Sequence, residues 1–430
     1  SRPAPLRESS LVVRPSQPSA APAPPGHADH DSARAPFWSS LVRFPTYRWF
    51  WLAAMAGSVG QWMQQVALGW LALTMTDSPS FVGIVSFTAG VPFLVVAPLG
   101  GSLIDRFDRQ RMMLVCQALS VVLALVVAAD VISGRVAPWH LVVAAFLTGS
   151  LQSLLTPTQQ SLVPALVDRT ALTNAIGLMS AGQNLTRSAG PSLAGIIIGA
   201  VGVGQTFVVQ AVAVAVSFLL VRSISFPGRA PGAAPRGVLD GIRLIARRPD
   251  LRGLFLLASL PAVLIFPYVG FLNVFARDVL GIGAEGLGVL MAASGSGAVV
   301  GSLMVAGRGR ADGMGRWLLG GTLVYGGVIM AMTFSRTLWL TLPLLFLAGF
   351  LGASFMSSNN AVIQHRISDD IRGRVMGAYL LTWGLMPLGA LPLGLLAERI
   401  GTPAAVFAGA ALSTALVALL GASSRTLRRV

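Results

Sequence analysis

Gly101-Ser102-Leu103 returns as Gly301-Ser302-Leu303, 200 positions further on, and each copy lies in an apolar run long enough to cross a bilayer. Two more pairs keep nearly the same interval. Arg43-Phe44-Pro45-Thr46-Tyr47-Arg48 and Arg247-Arg248-Pro249-Asp250-Leu251-Arg252 share the pattern R-x-P-x-x-R, each just before an apolar run opens, and Gly177 stands 200 positions from Gly377. Two helical halves in tandem, each with its own entry signal, are the sequence form of a carrier whose cargo lies between the repeats. The expected fold class is an all-α membrane protein with twelve transmembrane helices in two pseudo-symmetric six-helix bundles.

Composition points the same way. Soluble chains carry roughly 25% charged residues, whereas this chain has 11% charged and 54% apolar residues and a mean hydropathy of +0.72. So few polar groups cannot solvate an exterior, so the surface faces lipid. In lipid every backbone amide must be bonded within its own segment, which selects helices. The net charge of +15 invites a nucleic-acid reading, but the charges are not spread evenly. With the N-terminus placed in the cytoplasm, 26 of the 31 arginines fall in cytoplasmic tails and loops, four fall in external loops, and Arg187 alone sits inside a span. That bias is the positive-inside rule, and it argues against nucleic acid as a partner. Cys116 is the only cysteine, which excludes an internal disulfide and a cysteine-based metal site.

A span needs about 20 residues. Six apolar stretches cover approximately 49–74, 80–103, 112–133, 138–160, 173–199 and 204–222, and six more cover 253–276, 286–306, 317–334, 338–361, 375–397 and 403–422. The expected domains are therefore a disordered cytoplasmic tail at 1–36, a first bundle at 37–222, a linker at 223–250, a second bundle at 251–422 and a short tail at 423–430. Residues 223–236 are rich in Pro, Gly and Ala, as flexible connectors are. Val238, Leu239, Ile242, Leu244 and Ile245, interleaved with Asp240, Arg243, Arg247 and Arg248, predict a short amphipathic helix lying on the membrane surface or packing against the second half. The His27–His30 cluster with Asp29 and Asp31 is read as incidental to the tail, and no metal or cofactor is expected.

Between the second and third runs lies Gly101-Ser102-Leu103-Ile104-Asp105-Arg106-Phe107-Asp108-Arg109-Gln110-Arg111. This segment resembles the loop signature of the major facilitator superfamily, which has a glycine, an apolar pair, Asp-Arg, and a basic pair after a second glycine. Here Asp108 replaces that second glycine, a form similar to the branch of enterobactin exporters and macrolide efflux proteins. Asn174-Ala175-Ile176-Gly177, Asn184 to Pro191, Arg372 to Gly377 and Leu385 to Gly389 add further matches along the chain. The resemblance implies alternating access by two rocking bundles, export of a small amphiphilic molecule such as a siderophore or drug, and proton antiport. An importer of the same fold, or a gradient-independent solute or lipid facilitator, is the alternative.

Candidate residues fall into three groups. In the first, Asp105, Arg106, Asp108, Arg109 and Arg111, with Asp369, Asp370 and Arg374, are expected to form a reversible conformational latch between the halves. Asp105 would face the helix N-terminus near Gly373 and Arg374; a purely topological basic loop is the other reading. In the second, Gly190, Pro191 and Gly195 resemble the fifth-helix antiporter motif, although small residues also serve simple helix packing.

The third group lines the expected cavity. Arg187 is the only ionisable residue near mid-depth of a span, and such a group faces a bundle interior or water and needs a partner. It is expected to bind an anionic or oxygen-rich substrate, or to hold the first half together. Asn184 lies one turn away, and Gln61, Gln64 and Gln65 share one helix face. Gln152, Tyr268, Asn273 and Trp383 are further candidates, with Gln160, Asn359 and Asn360 behind them; each is also suited to bonding one helix to the next. No carboxylate or histidine is found at mid-span, no Walker loop is present, and no nucleophile, base and orienter are grouped. Transport rather than catalysis is expected, by a monomer in the cell membrane with both termini cytoplasmic and protons as the coupling ion.

Overall fold

Every element is helical among the described residues, as an apolar surround demands. The structure is a computed structural model that describes residues 38–106, 108–168, 170–224, 226, 238–308 and 314–423. Side chains at 96–106, 173, 238–239, 306–308, 314–316, 369–370, 372–373, 377, 380–381 and 383 are outside that set. So are the expected tail at 1–36, all but residue 423 of the expected tail at 423–430, most of the connector at 223–236, and the loop at 309–313.

The first half runs through α1 (Ser39–Arg43), α2 (Pro45–Thr76), α3 (Pro79–Arg106), α4 (Arg109–Ile132), α5 (Pro138–Leu166), α6 (Leu172–Val201) and α7 (Val203–Ser223). The second begins with α8 (Val238–Arg247) and α9 (Pro249–Leu264), then breaks into a 3-10 turn (Phe266–Phe271), the single turn α10 (Leu272–Val274) and a π-turn (Phe275–Val279). It ends with α11 (Gly283–Arg308), α12 (Met314–Phe334), α13 (Leu338–Arg366), α14 (Asp369–Ile400) and α15 (Thr402–Ser423).

The two R-x-P-x-x-R copies open the same kind of element. Phe44 and Arg248 are extended residues that end a short helix, and Pro45 and Pro249 occupy the first turn of the next. Proline suits that position because its missing N–H would be unbonded there anyway. The amphipathic segment folds as α8, which packs on the second half: Ile245 is buried with Leu251, Leu254, Val375 and Tyr379, and the backbone at Gly241 meets the Arg374 carbonyl.

By length and composition, α4, α5, α7, α9 with its continuation to Val279, α11, α12, α13 and α15 can each cross a membrane. Helices α2 and α6 have the length but interrupt their apolar runs, α2 with Gln61, Gln64 and Gln65 and α6 with Gln183, Asn184 and Arg187. Of these residues, Arg187 lies where the halves meet, near Tyr268 and Tyr325 of the second. Across that junction α3 packs on α14, and α6 packs on α11.

The chain ends of these helices differ in charge. One end carries Arg43, Arg48, Arg109, Arg111, Arg222, Arg247, Arg248, Arg252, Arg366 and Arg374, and the other carries Arg135, Arg277, Arg336 and Arg399. At the arginine-poor end a single apolar core spans both halves, joining Leu71, Val82, Ile198 and Phe207 to Phe271, Leu287, Leu393 and Ala405. At the arginine-rich end the core divides. One cluster holds Tyr47, Phe50, Met113, Leu162 and Leu178, all from the first half; the other holds Leu251, Leu254, Phe355, Val375 and Tyr379, all from the second.

Candidate functional site

The expected span at 253–276 is not one helix. Pro261 lies inside α9, Pro267 opens the 3-10 turn, and the π-turn follows before Gly281, whose φ of +64° ends the segment. Proline withdraws an amide from the ladder and bends the chain. The break carries Tyr268 into the core, where its hydroxyl lies 3.5 Å from that of Ser294 on α11, in the same buried cluster as Tyr325 of α12. Phe266 packs beside Tyr325, with ring centroids 5.8 Å apart.

Arg187 of α6 approaches this aromatic wall from the first half. Its guanidinium carbon is 5.7 Å from the centroid of the Trp62 ring on α2, and the phenols of Tyr268 and Tyr325 are within its electrostatic reach. Next to it, Thr186 bonds Ser58 at 2.7 Å, and Ser188 donates to the Ala292 carbonyl of α11. Arg187 thus stands at the meeting of α2, α6, the broken segment and α12. Gly190 and Gly195 bring the backbones close enough for this. A Cβ on Gly190 would lie 2.6 Å from the Trp62 Cβ, and one on Gly195 would lie 2.7 Å from both the Ala284 carbonyl oxygen and the Gly288 Cα. Helix α6 runs on through Pro191 without a break.

The glutamines expected to act together are parted. Gln64 is buried, donating to the Thr148 hydroxyl at 2.6 Å and accepting from the Gln210 amide at 2.9 Å, so it binds α2 to α5 and α7. Gln61 is half-buried and Gln65 exposed. Asn184 and Gln152 are half-buried, Gln160 is exposed, and the Trp383 side chain lies outside the described set. Asn273 is a strut between halves, donating to the Gly69 carbonyl at 2.7 Å. Asn359 donates to Tyr379 within the second half, and Asn360 bonds Gln364.

Of the expected latch, the side chains of Asp105, Arg106, Asp369 and Asp370 lie outside the described set. Asp108 caps α4 by accepting the Arg111 amide at 2.8 Å, which is the ordinary service of an aspartate at that position. Arg109 donates to the Ser161 carbonyl at 3.1 Å and so ties α4 to α5; Arg111 is exposed and Arg374 half-buried.

Sequence reasoning missed a second set of ties at the arginine-poor end. Arg277 donates to the Leu73 carbonyl at 3.1 Å and pairs with Asp77 at 2.7 Å, bridging the π-turn to the end of α2. Glu398 of α14 accepts from the Ser78 hydroxyl at 2.8 Å and from the Ser80 amide at 3.1 Å, at the start of α3. It lies just past the apolar run 375–397, and the Ser80 amide, then the Ser78 hydroxyl, hold its carboxyl below the usual range. Between these ties the backbones touch, since a Cβ on Gly83 would lie 2.7 Å from the Ala390 carbonyl oxygen. A signal was present: Arg277 is one of only four arginines at this end and adjoins Asp278.

An all-helical membrane bundle joined at one end and divided at the other, with Arg187 where the halves meet, has the architecture of a polytopic carrier. Residues 33–428 match the family model described as transmembrane secretion effector, and the chain belongs to that family of the major facilitator superfamily. It is similar to the staphyloferrin A transporter of Staphylococcus aureus, with 24% identity over 82% of this chain and 90% of that protein. It is also similar to the multidrug efflux pump Tap of Mycolicibacterium fortuitum, with 27% identity over 83% of this chain and 90% of the pump. Among solved structures, an occupied, inward-facing bacterial homologue of the lysosomal transporter Spinster superposes with a TM-score of 0.72 at 14% identity, covering 89% and 98% of the two chains. The nucleoside transporter NupG gives 0.69 at 14% identity, covering 88% and 98%. At these identities the likeness to the solved structures establishes the fold alone. The protein is therefore a multi-pass membrane transporter for a small molecule, with the major facilitator fold.

Proposed function

We propose that the protein is a secondary active exporter that carries a small amphiphilic molecule, such as a siderophore, a drug or a related metabolite, out across the cell membrane. Two six-helix bundles at 37–222 and 251–422, making twelve crossings, rock about the cargo. The linker at 223–250 and both tails lie in the cytoplasm. The arginine-rich end faces inward by the positive-inside rule, so the divided core opens toward the cytoplasm while the arginine-poor end is shut. The chain works as a monomer, and the resemblance implies proton antiport.

The observation that carries this reading is the position of Arg187, a cation at the junction of the halves below a closed end and above a divided core. The printed functions of the siderophore and multidrug relatives support the cargo class. When the bundles rock the other way, the loop at Asp105, Arg106, Asp108, Arg109 and Arg111 meets the start of α14 at Asp369, Asp370 and Arg374 and holds the cytoplasmic side shut. Replacement of Asp105 by Asn is expected to lower the outward-open population, read by labelling of a cysteine placed on the external side; unchanged labelling and transport would remove the latch.

Direction is tested with membrane vesicles and a radiolabelled aromatic carboxylate. Everted vesicles given an inward-acid gradient are expected to accumulate the label, and right-side-out vesicles are not. The reverse pattern would make the protein an importer. One observation favours the facilitator alternative: among the described residues, neither a carboxylate nor a histidine contacts Arg187. Accumulation that persists after the gradient is collapsed would establish it.

A further inference from the structure

Arg187 holds more open donors than the packing of a bundle needs. Its guanidinium has the Trp62 face on one side and the phenols of Tyr268 and Tyr325 within electrostatic reach, and among the described residues none of its N–H groups is bonded. Guanidinium keeps its charge at any physiological pH and presents five donors in a rigid fork that matches a carboxylate. The phenols are neutral at that pH, and that of Tyr268 already has Ser294 as a partner. Among the described residues no fixed acid balances the cation. An uncompensated charge withdrawn from water costs several kcal/mol, and a carrier working by alternating access must at some stage close over this one.

A structural arginine would be expected to spend its donors on carbonyls or a carboxylate, as Arg109 and Arg277 do here. Arg187 does not. A neutral cargo would meet the donors and leave the charge unbalanced, and a cationic cargo would add repulsion. An anionic group answers both needs. The surroundings also limit the rest of the cargo: the Trp62 indole, Phe266 and the two phenol rings form an aromatic wall, and the broken segment that carries Tyr268 is the kind of discontinuity at which carriers bind.

We infer that the cargo is an organic anion whose carboxylate-type group seats on Arg187 while its apolar body lies against Trp62 and the Phe266, Tyr268 and Tyr325 wall. This rests on the transport reading and narrows it, because amphiphilic cations fall outside the class. Arg187 is then both the recognition point and the reason an empty site resists occlusion.

The test uses the full chain in lipid nanodiscs and three probes of one shape: benzoate, benzamide and benzylamine. Benzoate is expected to quench tryptophan fluorescence and raise the melting midpoint at concentrations where benzamide and benzylamine do neither. Arg187→Gln is expected to weaken the benzoate response by about tenfold or more, the loss of one charge-assisted contact, with a ligand-free midpoint no lower than wild type because an unbalanced cation has gone. Arg187→Lys, which keeps the charge without the fork, is expected to fall between the two, and it carries the test should the glutamine variant fail to fold. A wild-type response to benzamide or benzylamine equal to that for benzoate overturns the inference, as does no response to any probe or an undiminished benzoate response in either variant. The transport reading fails separately: proteoliposomes that bind benzoate but move none of the three probes in counterflow would retain the site and refute the carrier.

Discussion

The two ends of the molecule are held together by different rules. At the arginine-poor end one apolar core passes through both halves, backbones touch at Gly83 and Gly195, and Arg277 and Glu398 tie the halves by polar bonds. At the arginine-rich end each half keeps its own core, and bonds such as Arg109 to Ser161 and Arg248 to Asp250 stay within a half. The lesson concerns reversibility. The seal that must open on rocking is a shared apolar core with close backbone contacts and a few exposed charges, whereas the cores at the other end are each confined to one half and need not part.

The comparison is broken most strongly at Gly195. Gly195→Val places side-chain atoms where the Ala284 carbonyl and Gly288 already sit at 2.7 Å from a Cβ, so α6 and α11 must part. Overpacking of this kind costs about 1–3 kcal/mol, and a loss of transport with thiol labelling from the arginine-poor side is expected. Gly177→Ala at the other end meets nothing within 4 Å and is expected to leave both measurements unchanged.

Arg277→Gln comes next. It removes the pair with Asp77 and the bond to the Leu73 carbonyl, and because these groups are partly solvated their worth is about 1 kcal/mol or less. A few-fold rise in labelling at the arginine-poor end is expected, whereas Arg109→Gln is expected to leave that labelling alone. A smaller effect is expected at Glu398. Its carboxyl titrates below the usual range in the closed form, so its contribution to closure is complete above the ordinary carboxylate pKa of about 4. That contribution disappears as pH falls through the lowered value. Labelling of the wild type should therefore rise in strong acid on that side, and Glu398→Gln should remove the dependence.

The last test sharpens the comparison from within one half. Gln64→Leu takes the partner from Thr148 and Gln210, and buried interhelical bonds in membranes average about 0.6 kcal/mol. A slightly lower melting midpoint with unchanged benzoate binding is expected; a change in binding would return Gln64 to the cavity.

Much of the fold was legible because the repeat and the apolar runs are properties of consecutive residues. R-x-P-x-x-R marked both helix starts, and the amphipathic spacing of Val238 to Arg247 marked α8. Arg187 was legible because a charge in a span is rare. The break after Leu264 was not foreseen, although Pro261, Pro267 and Gly270 all signal it, because the apolar run continues through it unbroken. The parting of Gln61, Gln64 and Gln65 was hidden for another reason. Spacing tells which residues share a helix face but not which neighbour covers it, and Gln210 lies 146 positions from Gln64.

Asp77 closes α2 with φ at +51°, the single described residue other than glycine in the left-handed region, and its carboxylate is one of two that Arg277 grips, Asp278 being the other. A side chain in that region costs about 1 kcal/mol against an ordinary turn. The clasp at the arginine-poor end is thus fastened against a slight spring. Once Arg277 lets go, the corner between α2 and α3 can relax to an easier geometry, so part of the work of unlatching is already stored in the hinge it releases.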